Sequence, residues 1–227
     1  ILKKMNNQIT NKNSVIILAA GNSTRLGTKI PKPYLKINNR EIIDYSIQTF
    51  KSIEEINEII LVVSKEYVDK IKKKYPKCIV VVGGRNRKDS SYNGLLACSK
   101  NTNKVLIHDA ARPFIDSKLI SDCINTLDDY DAVTLGIPSI DTIAECEDFN
   151  IKEIKNRKKQ ILIQTPQGFL YKKIKSAHEK FNQDATDDMK IMLKAGYKCK
   201  FIHGDKMNFK ITHKEDIILA KNLIHEN

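Results

Sequence analysis

The 227-residue sequence has no tryptophan, no C-x-x-C pair and no apolar run near the roughly 20 residues of a membrane span. Its longest apolar runs, such as Ile59-Ile60-Leu61-Val62-Val63, are strand-sized. The polar, Lys/Asn-rich start lacks the apolar stretch of a secretory signal. Residue 1 is Ile rather than Met, which leaves open whether the chain is free-standing or part of a longer, bifunctional product. Cys78, Cys98, Cys123, Cys146 and Cys199 lie far apart. That scatter argues against a disulfide framework or a thiolate metal site, and for reduced thiols in a cytoplasm. The histidines show no metal-ligand spacing. Arginine is scarce as well: Arg25, Arg40, Arg85, Arg87, Arg112 and Arg157 are six of 39 basic residues.

The net charge of +12 comes mainly from lysine spread over every segment. Without basic and aromatic residues interleaved, it does not read as a nucleic-acid surface. Arginine, the bidentate phosphate binder, is concentrated in Gly/Pro-rich loops and is the more informative cation. A hydrophobic content of 41% with periodic apolar segments argues against disorder, and the length suits one well-buried domain.

Residues 1–13 read as a flexible leader, and 14–227 as one domain. Ser14–Ala20 is a continuous apolar run, as in a strand buried on both faces. Further strands are expected at Glu58–Val63, Lys77–Val82, Lys104–His108, Ala132–Ile137 and Lys198–Ile202. Helices are expected near Glu41–Lys51, Glu66–Tyr75, Ser90–Ser99, Ser117–Leu127, Leu170–Phe181, Asp187–Ala195 and Lys214–His225. Strands alternating with helices predict an α/β fold, Rossmann-like and doubly wound on a mostly parallel sheet. Residues 138–164 break the rhythm with short β-like pieces (Asp141–Glu145, Ile161–Gln164). They are expected to form an inserted β-arm used for dimerisation.

In an open α/β sheet, ligands sit beyond the carboxyl ends of the strands. Charged, small-residue loops follow three such ends here, after residues 20, 82 and 108. The first, Ala19-Ala20-Gly21-Asn22-Ser23-Thr24-Arg25-Leu26-Gly27, offers backbone N–H groups to a triphosphate. It fits neither G-x-x-x-x-G-K-[ST] nor G-x-G-x-x-G, so NTP hydrolysis and dinucleotide binding lose support. Lys32 stands between Pro31 and Pro33, a stiff setting for its ammonium group. An ordinary exposed loop lysine is the bland alternative.

These motifs, with Gly83-Gly84-x-x-Arg87-x-x-Ser90 and His108-Asp109-Ala110-Ala111-Arg112-Pro113, resemble the cytidylyltransferase branch of the sugar nucleotidyltransferase superfamily. Taken together they are similar to the family of 2-C-methyl-D-erythritol 4-phosphate cytidylyltransferases of the non-mevalonate isoprenoid pathway, over about Ser14 to Ile224. The resemblance implies that Ala19, Ala20 and Gly21 bind the nucleotide triphosphate, with Gly84, Ser90 and Ala110 also on the nucleotide. It implies that Arg25, Lys32 and Lys210 are catalytic and that Asp109 supports Mg²⁺. Arg112, Thr142, Arg157, Thr165 and Thr186 are implied around the acceptor. Thr142 and Arg157 are implied to reach the partner's site in a homodimer. Arg85 departs from the acidic residue common in the closest relatives.

The chemistry agrees with these roles. A phosphate monoester is already an anionic nucleophile, so no enzymic nucleophile or general base is required. Fixed cations and a metal must instead bring two anions together and stabilise charge as pyrophosphate leaves. His108 reads as structural, Asp187 as a helix cap, and Arg157 competes with the reading of a solvated basic arm. A ribitol-5-phosphate cytidylyltransferase is the nearest alternative, and a non-catalytic nucleotide-binding module the next.

Overall fold

The structure, a computed structural model, describes residues 12–21 and 30–225. Residues 1–11 of the expected leader and the loop arginine Arg25 lie outside the described residues. Lys12 and Asn13 do not belong to a leader, because they open the first strand, β1 (Lys12–Ala19). After it come the small hairpin β2 (Lys36–Ile37) and β3 (Arg40–Glu41), α1 (Ile42–Lys51), β4 (Glu58–Val63), α2 (Val68–Lys74) and β5 (Ile79–Val82). Next are α3 (Arg87–Ala97), β6 (Thr102–Asp109), α4 (Ser117–Thr126), β7 (Ala132–Pro138), β8 (Ala144–Glu147) and β9 (Asn150–Ile154). The chain continues through β10 (Ile161–Leu170), α5 (Tyr171–Lys180), α6 (Asp188–Lys194), β11 (Cys199–His203) and α7 (Lys214–His225).

Seven strands form one twisted sheet in the order β11-β7-β10-β6-β1-β4-β5. All pairings are parallel except those of β10, which runs antiparallel to both β6 and β7. The expected α/β fold on a mostly parallel sheet is therefore present.

The apolar run in β1 has a direct cause. Successive side chains point to opposite faces of a strand. Val15, Ile17 and Ala19 pack with Ile47 and Phe50 of α1 and Ile120 of α4, while Ile16 packs on the other face with Leu95, Ile174 and Ile191. Both faces of its middle, residues 15–17, are covered by helices, so no position there is left for a polar residue to reach water. Because β6, β1, β4 and β5 are parallel, Asp109, Ala19, Val63 and Val82 all end on one edge of the sheet. That edge carries the site.

Two departures from the sequence reading matter. Ile161–Gln164 is not part of the arm but the start of β10, in the middle of the sheet. The strand was hidden because its register shifts between Gln164 and Gln167, where Thr165-Pro166 interrupts the alternation. The excursion is thus shorter, and its core is the exposed hairpin β8–β9. Asp148 and Phe149 turn that hairpin with φ of 48° and 63°, as a two-residue primed turn requires. The second departure is that α3 starts at Arg87 rather than Ser90. Asn86 caps it, accepting a hydrogen bond from the Asp89 N–H at 2.8 Å. Arg87 therefore belongs to the first turn of a rigid helix.

Candidate active site

A cavity of about 640 Å³ opens at the carboxyl ends of β1, β5 and β6, within the size range of small-molecule sites. Of the residues expected to act there, Ala19, Ala20, Gly21, Lys32, Gly84, Ser90, Asp109, Thr186 and Lys210 line it. Leu18, Pro33, Arg85, Asn86, Arg87 and Ala111 complete the wall.

Lys32 is buried at the head of a single 3-10 turn, Lys32–Tyr34. Pro31 sets the entry, and the Tyr34 and Leu35 N–H groups close the turn on the carbonyls of Pro31 and Lys32 at 2.9 and 3.1 Å. Tyr34 then stacks on Tyr67, with ring centroids 3.8 Å apart and planes within 7°. The ammonium is thus carried by a segment fixed at both ends.

The opposite wall is the turn from β5 into α3. Ser90 is buried, and its hydroxyl donates to the Asn86 carbonyl at 2.9 Å while accepting the Gly84 N–H at 3.0 Å. A Cβ on Gly84 would lie 2.2 Å from the Asp89 Cβ, so only glycine lets this turn close on the helix. Ser90 shapes the wall through its hold on the loop.

Asp109 ends β6 between two cations. Lys210 Nζ donates to Oδ2 at 2.5 Å, and Arg87 Nε stands 3.6 Å from Oδ1. Burial alone would raise the Asp109 carboxyl, but Lys210 and Arg87 outweigh it and hold the group well below the usual carboxylate range. Lys210 is delivered by the chain after β11, where the Ile211 N–H bonds the Ala111 carbonyl at 2.9 Å and the Ile211 side chain is buried with Ile37 and Ile42.

Behind Asp109 lies a layer of hydrogen bonds that uses several expected acceptor residues. The Thr165 hydroxyl oxygen accepts the Asp109 N–H at 3.0 Å, and Thr165 is buried. The Ala110 N–H bonds the Leu18 carbonyl at 3.0 Å, tying β6 to β1. Arg112 donates to the carbonyls of Asn208 and Ile163. Ala110, Arg112 and Thr165 therefore stand behind the cavity wall, not on it. Thr142 and Arg157 lie on the exposed arm, away from the cavity. Arg157 donates to the Ile140 carbonyl at 2.9 Å.

His108 shows why that layer is stiff. Its Nε2 is 3.1 Å from the Arg112 carbonyl, which can only accept, so Nε2 carries the proton. Nδ1 then accepts from the Thr165 hydroxyl at 3.2 Å, which leaves that oxygen's lone pairs for the Asp109 N–H. A second proton on the ring would remove Nδ1 as an acceptor. Burial, only partly offset by Asp109, pushes the imidazole down to about 4.

In the sequence Arg87 has no assigned site role, and Asp188 stands out only as half of a possible carboxylate pair with Asp187. Arg87 was present in the quoted motif, and the signal for its placement was Asn86 as a cap three residues before Asp89. Asp187 caps α6 as expected, accepting from the Met189 N–H at 2.8 Å. Among the described residues, no group of three or more His, Cys, Asp or Glu could hold a metal, and no helix is long and apolar enough to cross a membrane.

The geometry yields a stability prediction. Free histidine titrates near 6.5 and this one near 4, so the unfolded chain binds more protons between those values. Stability held above pH 6.5 is lost as pH falls toward 4, by about 3 kcal/mol for a shift of this size. Urea unfolding of metal-free protein at pH 7 and pH 4.5 should show that fall in the wild type and a flatter dependence in His108→Gln. Equal slopes in the two proteins would contradict the assignment.

The sequence profile of the 2-C-methyl-D-erythritol 4-phosphate cytidylyltransferase family matches residues 14–226. The chain is 39% identical over 228 residues to the enzyme of that name from Clostridium botulinum strain Langeland, covering 95% of this chain and 98% of that one. It is 37% identical to the Clostridioides difficile enzyme of the same name, covering 93% of each chain. The crystal structure of 4-diphosphocytidyl-2C-methyl-D-erythritol synthase from Anaerococcus prevotii superposes with a TM-score of 0.85 at 32% identity, over 95% of this chain and 96% of that one. The chain belongs to the 2-C-methyl-D-erythritol 4-phosphate cytidylyltransferase family.

Proposed function

We infer that the family's reaction is carried out in the cavity at the ends of β1, β5 and β6. That reaction transfers the cytidylyl group from CTP to 2-C-methyl-D-erythritol 4-phosphate and releases pyrophosphate, a step of isoprenoid precursor biosynthesis. The chain is a cytidylyltransferase, and so a nucleotidyltransferase. The observation that carries the assignment of the site is the ionised Asp109 between Lys210 and Arg87, facing the turn that fixes Lys32.

The backbone at Ala19, Ala20 and Gly21 receives the triphosphate, and the Gly84–Ser90 turn holds the base. Lys32, Lys210 and Arg25 supply positive charge to the α-phosphoryl group as pyrophosphate departs. The acceptor's phosphate oxygen attacks directly.

The donor set fits Mg²⁺. Asp109 stays ionised and offers hard oxygens, so it would hold the ion with phosphate oxygens and water as the other ligands, the usual arrangement for Mg²⁺. When bound, Mg²⁺ neutralises charge on the phosphate chain.

The arm supports a homodimer. Ile140, Phe149, Ile151 and Ile154 are exposed on it, with Phe149 wholly so. Thr142 and Arg157 lie on this excursion, outside the lining of their own cavity, and are suited to complete the acceptor site of a second copy. A cytoplasmic location is supported by five cysteines that are all unpaired.

Release of pyrophosphate from CTP tests the reading, with methylerythritol phosphate and ribitol 5-phosphate compared. Turnover should favour the former, and preference for the polyol would overturn the acceptor. Lys32→Ala should lower kcat by about 10²–10³ without loss of fold, and wild-type activity would remove Lys32 from catalysis. Mixing Lys32→Ala with Arg157→Ala subunits should restore part of the activity, since a mixed dimer carries one intact composite site. No recovery on mixing would contradict the arm's reach into the partner.

A further inference from the structure

Asp188 opens α6, is wholly buried and does not line the cavity. A buried carboxylate costs several kcal/mol in desolvation unless it is closely paired. Three side chains meet this one. Arg87 Nη1 donates to Oδ2 at 2.5 Å, Ser91 Oγ donates to the same oxygen at 3.1 Å, and His178 Nε2 lies 2.9 Å from Oδ1. Arg87 and Ser91 are one helical turn apart on α3, so they converge on a single point. His178 is itself held by Tyr92, whose ring lies parallel at 5.8 Å.

The same guanidinium faces Asp109 through Nε, at 3.6 Å. One arginine thus stands between two carboxylates and makes its closer contact with the one outside the cavity. Without Asp188, Asp109 would be the arginine's nearest anion, and the planar fork would close on it as Arg–carboxylate pairs do. That closure would bury Oδ1 and turn the arginine away from the open space it now lines.

We propose that Asp188 is a positioning residue that holds Arg87 off Asp109, so that Oδ1 stays open and Arg87 remains a cation on the wall of the nucleotide cavity. Asp188 itself touches no reacting atom. A second set of contacts supports the arrangement from the same helix turn. Lys88 Nζ donates to the carbonyls of Phe181 and Gln183 at 3.3 and 3.0 Å, so the first turn of α3 and the segment leading to Thr186 are held as one unit. The inference rests on the cavity being the nucleotide site.

The test is calorimetric titration of CTP into metal-free protein, together with kcat and both KM values under saturating Mg²⁺. Asp188→Asn keeps the size and most hydrogen bonds but removes the charge. It should weaken metal-free CTP binding and lower kcat, each by about tenfold or more, while Asp188→Glu restores both in part. Ser91→Ala loses one hydrogen bond to Asp188 but keeps the ion pair, and should retain wild-type CTP affinity at a comparable loss of melting temperature. If Asp188→Asn does not fold, Arg87→Lys serves in its place, because a lysine cannot face both carboxylates and should show the same fall. Wild-type CTP affinity in the variant tested would overturn the proposal. So would a rise in acceptor KM alone, or an equal loss in Ser91→Ala, since either would make Asp188 merely structural. Failure of the wild-type protein to bind CTP would overturn the reading of the cavity, and the inference with it.

Discussion

Everything at the cavity is arranged around one carboxylate at the end of a central strand. Asp109 is buried enough that its charge would be lost unless cations stood beside it, and Lys210 and Arg87 stand there. Those two residues come from the chain after β11 and from the first turn of α3. Ion pairing at a single strand end therefore draws together segments about a hundred residues apart in the sequence. It also supplies what joining two anions requires, namely a concentration of fixed positive charge with a hard oxygen ligand at its centre.

Such a site works only if its members cannot drift, and the structure spends buried polar groups on that. Thr165 bonds the Asp109 backbone and His108, and His108 bonds the Arg112 carbonyl. On the far side, Asp188 fixes Arg87. The turn that carries Lys32 is held by two prolines and by the Tyr34–Tyr67 stack. The contrast is physical. A lysine on a turn needs its backbone restrained, whereas an arginine between two anions needs its partner restrained.

Most of the fold was legible because the middles of β1, β4 and β6 are covered on both faces and so read as apolar segments, residues 15–19, 59–63 and 105–107. β10 was not, since its middle holds Thr165-Pro166-Gln167, where a shift in register replaces the alternation that marks a strand. That Gly21, Lys32 and Gly84 line the cavity was legible because small or unusual residues cluster after strand ends. Arg112 and Thr165 are assigned to the acceptor by resemblance; in this chain the two Arg112 Nη groups bond the carbonyls of Asn208 and Ile163, and the Thr165 hydroxyl bonds the Asp109 N–H, behind the wall. The pairing of Asp188 was not legible for a different reason. Its role depends on a neighbour at Arg87, about a hundred positions earlier, and no local pattern records that pairing.

The central claim is that positioned charge drives the transfer, with the acceptor's own phosphate as nucleophile and no covalent stage on the protein. The most direct test is the stereochemical course at phosphorus, using CTP with a single sulfur at the α-position and known configuration. A single in-line displacement inverts that centre, and inversion is the predicted result. Retention would mean two successive displacements through a protein-bound intermediate, and would contradict the account.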